Sequence, residues 1–190
     1  MVYIFLGLLS FGFAALAEWA AVRGINRAAP VAWIFSAVCG IVSVVMVSIE
    51  GERIGFPTYV SILGWVGVMV FGGLFLYSAL IELFLHGTPS EGEDTTLVTT
   101  GTYALTRHPA FLWLSLFLIC LIFATRSRLL LVAAPLWILA DGLYVWFEEK
   151  VYFDRMFDDY HEYKQHTPML LPTLSSLRRF LTTRVTTNGV

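Results

Sequence analysis

The stretch RHPAFLWLSLFLICLIFATRSRLLLVAAPLWILADGLYVWFEE, from Arg107 to Glu149, contains two apolar runs, Ala110 to Thr125 and Leu129 to Phe147, separated only by Arg126, Ser127 and Arg128. Crossing a hydrocarbon core of about 30 Å as a helix takes roughly 20 apolar residues. The second run meets that length, and the first is short enough to need tilt or a partial span. A three-residue connection between two helical runs leaves room only for an antiparallel hairpin.

Three more runs precede it, at Val2 to Val22, Val31 to Ile49 and Tyr59 to Ile81. The whole chain of 190 residues is 57% hydrophobic and 14% charged, where a soluble domain carries about 25% charged residues. The expected fold is therefore all-α: a polytopic membrane protein with about five transmembrane helices, the last two a hairpin, followed by a C-terminal helical segment. With the N-terminus outside, the cytoplasmic side receives nine of the twelve lysines and arginines, and Arg53, Arg126 and Arg128 fall on the other side. That bias predicts N-out, C-in. Ala15-Leu16-Ala17 before Glu18 has the look of a signal-peptidase site, but no positive segment precedes it and the charge bias opposes it, so the first helix is expected to stay.

The net charge of −2 gives no electrostatic footprint for nucleic acid. Cys39 and Cys120 lie singly in apolar runs and form no disulfide framework or thiolate metal site. His86, His108, His161 and His166 show no His-Glu-x-x-His motif or repeated His-box spacing, so no metal is expected. There is no glycine-rich nucleotide loop and no Gly-x-Ser-x-Gly elbow.

Ionisable residues at membrane depth are costly and mark cavities or pathways. Asp141 and Glu148 are two helical turns apart with Tyr144 on the same face, and Glu149 is turned by about 100° in the helical projection. Glu18 and Glu82, near helix ends, read as interfacial. A second cluster runs from Gly101 through Tyr103 and Arg107-His108-Pro109 to Phe111, at the mouth of the long loop His86 to His108 with its acidic trio Glu91, Glu93 and Asp94. Proline suits the first turn of a helix. Arg107, together with free amides at that helix start, is suited to an anionic group, and the aromatics to a ring or a cation.

The ordered set Leu97-Val98, Gly101-x-Tyr103, Arg107-His108-Pro109-x-Phe111, a helical hairpin, Glu148-Glu149, Phe157-x-x-Tyr160-x-x-Tyr163-Lys164, then Thr167-Pro168 through Pro172, resembles the isoprenylcysteine carboxyl methyltransferase family and the phospholipid methyltransferases grouped with it. The resemblance covers about the last 80 residues. It implies a single membrane domain over 1–190, with three helices in 1–85, a catalytic and cofactor region in 86–172 and a tail in 173–190.

The cofactor implied is S-adenosyl-L-methionine, held on the cytoplasmic side. Val98, Gly101, Tyr103, His108, Pro109, Phe111, Glu148, Glu149, Tyr160 and Tyr163 are the expected cofactor contacts, with Arg107, His108 and Glu148 as the catalytic candidates. Methyl transfer from a sulfonium is an in-line displacement that needs alignment and exclusion of water rather than a covalent nucleophile. The expected partners are membrane lipids and a lipophilic or small methyl acceptor bearing a carboxylate, thiol or amine.

The chain departs from the family at Thr102, where Pro is common, at Phe111, where Tyr is common, and at Asp158, where Gly is common. The first and last read as changes of turn preference, and Phe111 lacks a hydroxyl. Two rival readings are a nicotinamide-dependent membrane reductase, because sterol reductases resemble the same carboxyl-terminal region, and a non-catalytic haem or transport protein using His86 and His108.

Overall fold

A computed structural model describes residues 1–25, 27–82, 97–153 and 159–182. The expectations for His86, the acidic trio, Arg155, Phe157, Asp158 and the threonine-rich tail beyond Thr182 lie outside the described residues.

The elements are α1 (Val2–Val22), α2 (Ala28–Ile49), α3 (Thr58–Leu76) continuing through a π-helical turn (Tyr77–Glu82), a 3₁₀ turn (Gly101–Ala104), α4 (Pro109–Thr125), α5 (Arg128–Glu148) continuing through a second π-helical turn (Glu149–Phe153), α6 (Tyr160–His166) and α7 (Leu174–Thr182). Among the described residues the only β pairing is an isolated bridge between Arg53 and Ser127. Four helices are long and apolar enough to cross a membrane, Val2–Val22, Ala28–Ile49, Thr58–Glu82 and Arg128–Phe153, and α4 is a shorter apolar helix of 17 residues. Leu9, Ile41, Leu63, Met69 and Leu139 stand exposed on these helices, the surface that lipid solvates. The chain is thus a multi-pass, all-helical membrane protein.

The chain forms two compact units, Met1–Val70 with Ser115–Glu148, and Phe71–Leu114 with Glu149–Val190. The first is held by close helix contact. Lipid is as apolar as leucine, so helices in a bilayer gain most where small residues let backbones approach. On α1 the buried positions are Ile4, Gly7, Ser10, Ala14, Ala17 and Ala20, one stripe at helical spacing, and α1 packs against α2 and α5. Gly7 makes room for Trp137, since a Cβ there would come within 2.4 Å of the indole. That indole donates to the Ile4 carbonyl at 3.1 Å. A Cβ on Gly64 of α3 would meet the Ala124 backbone nitrogen of α4 at 2.5 Å, and Ser61 Oγ donates to the Phe123 carbonyl at 3.1 Å.

The turn between α4 and α5 is braced by the segment after α2. Arg126 adopts φ +60°, a left-handed conformation that a non-glycine residue keeps only when its surroundings hold it. Its carbonyl accepts from the Ile54 N–H at 2.7 Å, and its Nε donates to Ser61 Oγ at 2.6 Å. The buried Ser127 hydroxyl donates to the Val47 carbonyl at 2.6 Å. The Arg53 guanidinium reaches the Ser48, Ile49 and Thr125 carbonyls at 2.8, 3.0 and 2.6 Å, satisfying orphan acceptors at the ends of both α2 and α4.

Candidate functional site

The polar candidates gather in the second unit, where the π-helical turn at the end of each of two membrane helices carries a buried glutamate, Glu82 at the end of the first turn and Glu149 at the start of the second. A π turn takes an extra residue per turn, re-aims the side chains after it, and is common at functional sites.

The first π turn ends on Glu82, which is 2% exposed. Burial of a carboxylate is tolerated only with hydrogen-bond partners. Thr102 supplies two: its N–H donates to Glu82 Oε1 at 2.7 Å and its hydroxyl donates to Oε2. Gly101 allows this approach, because its φ is +58° and a Cβ there would sit 1.7 Å from Glu82 Oε1. Two sequence expectations are refined here. Glu82, at the end of its span, is buried rather than exposed, because the Gly101–Ala104 turn covers it. Thr102 is more than a turn preference, because proline at that position has neither the N–H nor the hydroxyl that hold Glu82. Tyr103, in the same turn, donates from its hydroxyl to the Ser78 carbonyl at 3.4 Å and accepts at its own carbonyl from Tyr163 Oη at 2.7 Å.

Arg107 and His108 stand immediately before α4, with the buried Pro109 at its first position. Their backbone N–H groups donate to the Pro168 and Met169 carbonyls at 2.9 and 3.3 Å. The amides of Arg107 and His108, which precede the helix, are therefore occupied.

The Arg107 side chain meets Glu149, at the start of the second π turn: Nε lies 2.8 Å from Oε1, and Nη2 donates to Oε2 at 3.1 Å. The pair is a close ion contact with one charge-assisted hydrogen bond, from Nη2. His108 Nε2 is 3.2 Å from Glu149 Oε1, and Tyr160 Oη donates to the same oxygen at 2.8 Å. The His108 ring stacks on Phe153 with centroids 5.5 Å apart, and Phe153 meets Tyr160 edge-on at 5.3 Å. His108 and Glu149 are each 8% exposed and Tyr160 1%.

Burial, followed by the hydrogen bond to Glu149, raises the Tyr160 phenol well above its ordinary range. Burial, followed by the nearby Tyr103, does the same for Tyr163. Both tyrosines stay protonated donors at neutral pH. Val98 is buried in this unit and Phe111 half-buried on the first turn of α4. Thr106, beside Arg107, is fully buried and its hydroxyl has no hydrogen-bond partner, as is true of the buried Trp113 Nε1.

Of the expected site residues, Arg107, His108, Glu149 and Tyr160 meet directly, and Tyr103 and Tyr163 bond to each other beside them. Glu148 ends α5, where it interacts with Tyr144 and Glu18, and Tyr144 Oη donates to Glu18 Oε1. Asp141, three residues before Tyr144, is 8% exposed on the same helix. Sequence reasoning did not single out Phe153, or Glu82 and Thr102 as partners. The usable signal for that pair was an acid at the end of a span together with a departure from the family pattern. Among the described residues no group of three or more His, Cys, Asp or Glu is placed to hold a metal.

Helical spans carrying a buried arginine, histidine, glutamate and tyrosine network at one helix end define a class: a polytopic membrane protein with a polar site built on its helix ends. Within that class the chain belongs to the family described as "Protein of unknown function (DUF1295)", which matches residues 13–167 and so contains the whole Arg107–His108–Glu149–Tyr160 group. Comparison with curated proteins and with solved structures returns no match.

Proposed function

We propose that the chain is an integral-membrane methyltransferase that uses S-adenosyl-L-methionine, bound in the second unit on the cytoplasmic side, to methylate a lipophilic or small acceptor. One observation carries this reading. Arg107-His108 and Glu149, 42 residues apart, converge with Tyr160, and these are segments that the resemblance to the carboxyl methyltransferases assigns to the cofactor.

The donor set fits such a group. A cation already lies over Tyr160, the Lys164 Nζ at 5.0 Å from its ring centroid, and an aromatic surround of this kind would suit a sulfonium that took its place, as Arg107 would suit a carboxylate in exchange for Glu149. The unpartnered Thr106 hydroxyl and Trp113 indole N–H offer buried polar contacts in the same unit. When bound, the cofactor supplies a methyl group on a cationic sulfur.

The chain's own residues would then align and shield. Glu149 fixes Arg107 and His108 in place, and Tyr160 and Phe153 exclude water around them. An amine acceptor would have to lose a proton, for which His108 or a glutamate is the candidate; a carboxylate or thiolate needs no base.

A second reading is a nicotinamide-dependent reductase, because sterol reductases resemble the same carboxyl-terminal region. Calorimetry on the purified full chain separates the two. S-adenosylhomocysteine should bind with a dissociation constant of about micromolar order and NADPH should not. Binding of NADPH alone would overturn the methyltransferase reading.

A further inference from the structure

α7 is packed the opposite way round from a soluble helix. Thr173 caps it: its Oγ1 accepts the Ser176 N–H at 3.2 Å, and its own N–H donates to Ser176 Oγ at 2.9 Å. At 100° per residue, Ser176 and Arg179 fall on one side and Leu174, Leu177 and Leu181 on the other. The polar side faces inward. Ser176 is fully buried, and Arg179 donates to Thr167 Oγ1 at 3.2 Å and to the His166 carbonyl. The three leucines face outward, 79%, 42% and 73% exposed, with the exposed Arg178 beside them.

The height of this helix is set within its own unit. It packs on the Gly101–Ala104 turn, and that turn is bonded through Thr102 to Glu82, the last residue of the third span. The same span end presents Leu80 and Ile81 outward, 61% and 49% exposed. An apolar stripe at that level, flanked by a cation, matches a helix lying in the membrane surface, with leucines among the acyl chains and arginine at the phosphates.

We propose that α7 is an in-plane membrane helix whose Leu174–Leu177–Leu181 face docks into the headgroup boundary of the chain's own bilayer, with Arg178 on anionic phospholipid. The contact has a route to the candidate site. Arg179 holds His166 and Thr167, and the next two carbonyls, of Pro168 and Met169, hold the amides of Arg107 and His108.

The test places nitroxide labels on the full chain, with Cys39 and Cys120 replaced by alanine, at L177C and L181C and, as an aqueous reference, at S175C. The proteins are reconstituted in phosphatidylcholine vesicles containing phosphatidylglycerol. Collision with oxygen should exceed collision with a water-soluble nickel chelate severalfold at positions 177 and 181 and not at 175, and Arg178→Glu should shift both labels toward the chelate. Equal chelate access at all three positions, or immobilised labels closed to both reagents as under a protein partner, would overturn the proposal.

Discussion

The two units solve the same problem, holding helices together, with opposite materials. The first brings backbones close through Gly7, Ala14, Ala17 and Gly64, with serine and tryptophan bonds to carbonyls. The second joins helix ends through a buried ion pair, a carboxylate on a loop amide and three tyrosines. In the bilayer interior an unpaired charge is expensive, so small-residue contact is the economical solution there. At a helix end a loop can fold back and supply partners, and charged groups become structural. The boundary falls between two neighbouring residues: Glu148 closes the α-helical part of α5 with Tyr144 and Glu18, and Glu149 opens the π turn with Arg107, His108 and Tyr160.

Arg107→Ala breaks the comparison most severely, because it strands a buried carboxylate. Detergent-resistant folding, read by thermal unfolding, should fall by about 3–5 kcal/mol, and a variant with the stability of the parent would show that the ion pair does not hold the second unit. Next is Thr102→Pro, the residue common in the resembling family. It removes two hydrogen bonds to a charged group and should cost about 1.5–3 kcal/mol, whereas a neutral result would mean that Glu82 does not depend on the turn.

In the first unit, Gly64→Ala pushes against backbone rather than a movable side chain. A loss of about 1–3 kcal/mol is expected, with ligand binding in the second unit kept among the molecules that remain folded. Tyr144→Phe removes only the bond to Glu18 and should cost about 0.6 kcal/mol. A larger loss would make the acidic stripe of α5 a structural centre in its own right.

Much of the fold was legible because the bilayer sets helix length. Val2 to Val22 was expected and found, Tyr59 to Ile81 became Thr58 to Glu82, and the short fourth helix starts one residue earlier, at Pro109. The site was legible in part. Arg107, His108, Glu149 and Tyr160 were all named, and they meet. The change to π geometry between Glu148 and Glu149 was not visible, because a helical wheel assumes 100° per residue throughout. Burial of Glu82 and occupation of the Arg107 and His108 amides were hidden for another reason. Both depend on segments brought from elsewhere in the chain, Gly101–Thr102 for the first and Pro168–Met169 for the second, which hydropathy and spacing do not pair.

The most direct test of the second unit's part in this division of labour is a double-mutant cycle, Arg107→Gln with Glu149→Gln, read by unfolding in mixed micelles. The cycle should show a coupling of about 1–3 kcal/mol. A coupling within about 0.5 kcal/mol of zero would contradict the claim that this pair holds the helix ends together.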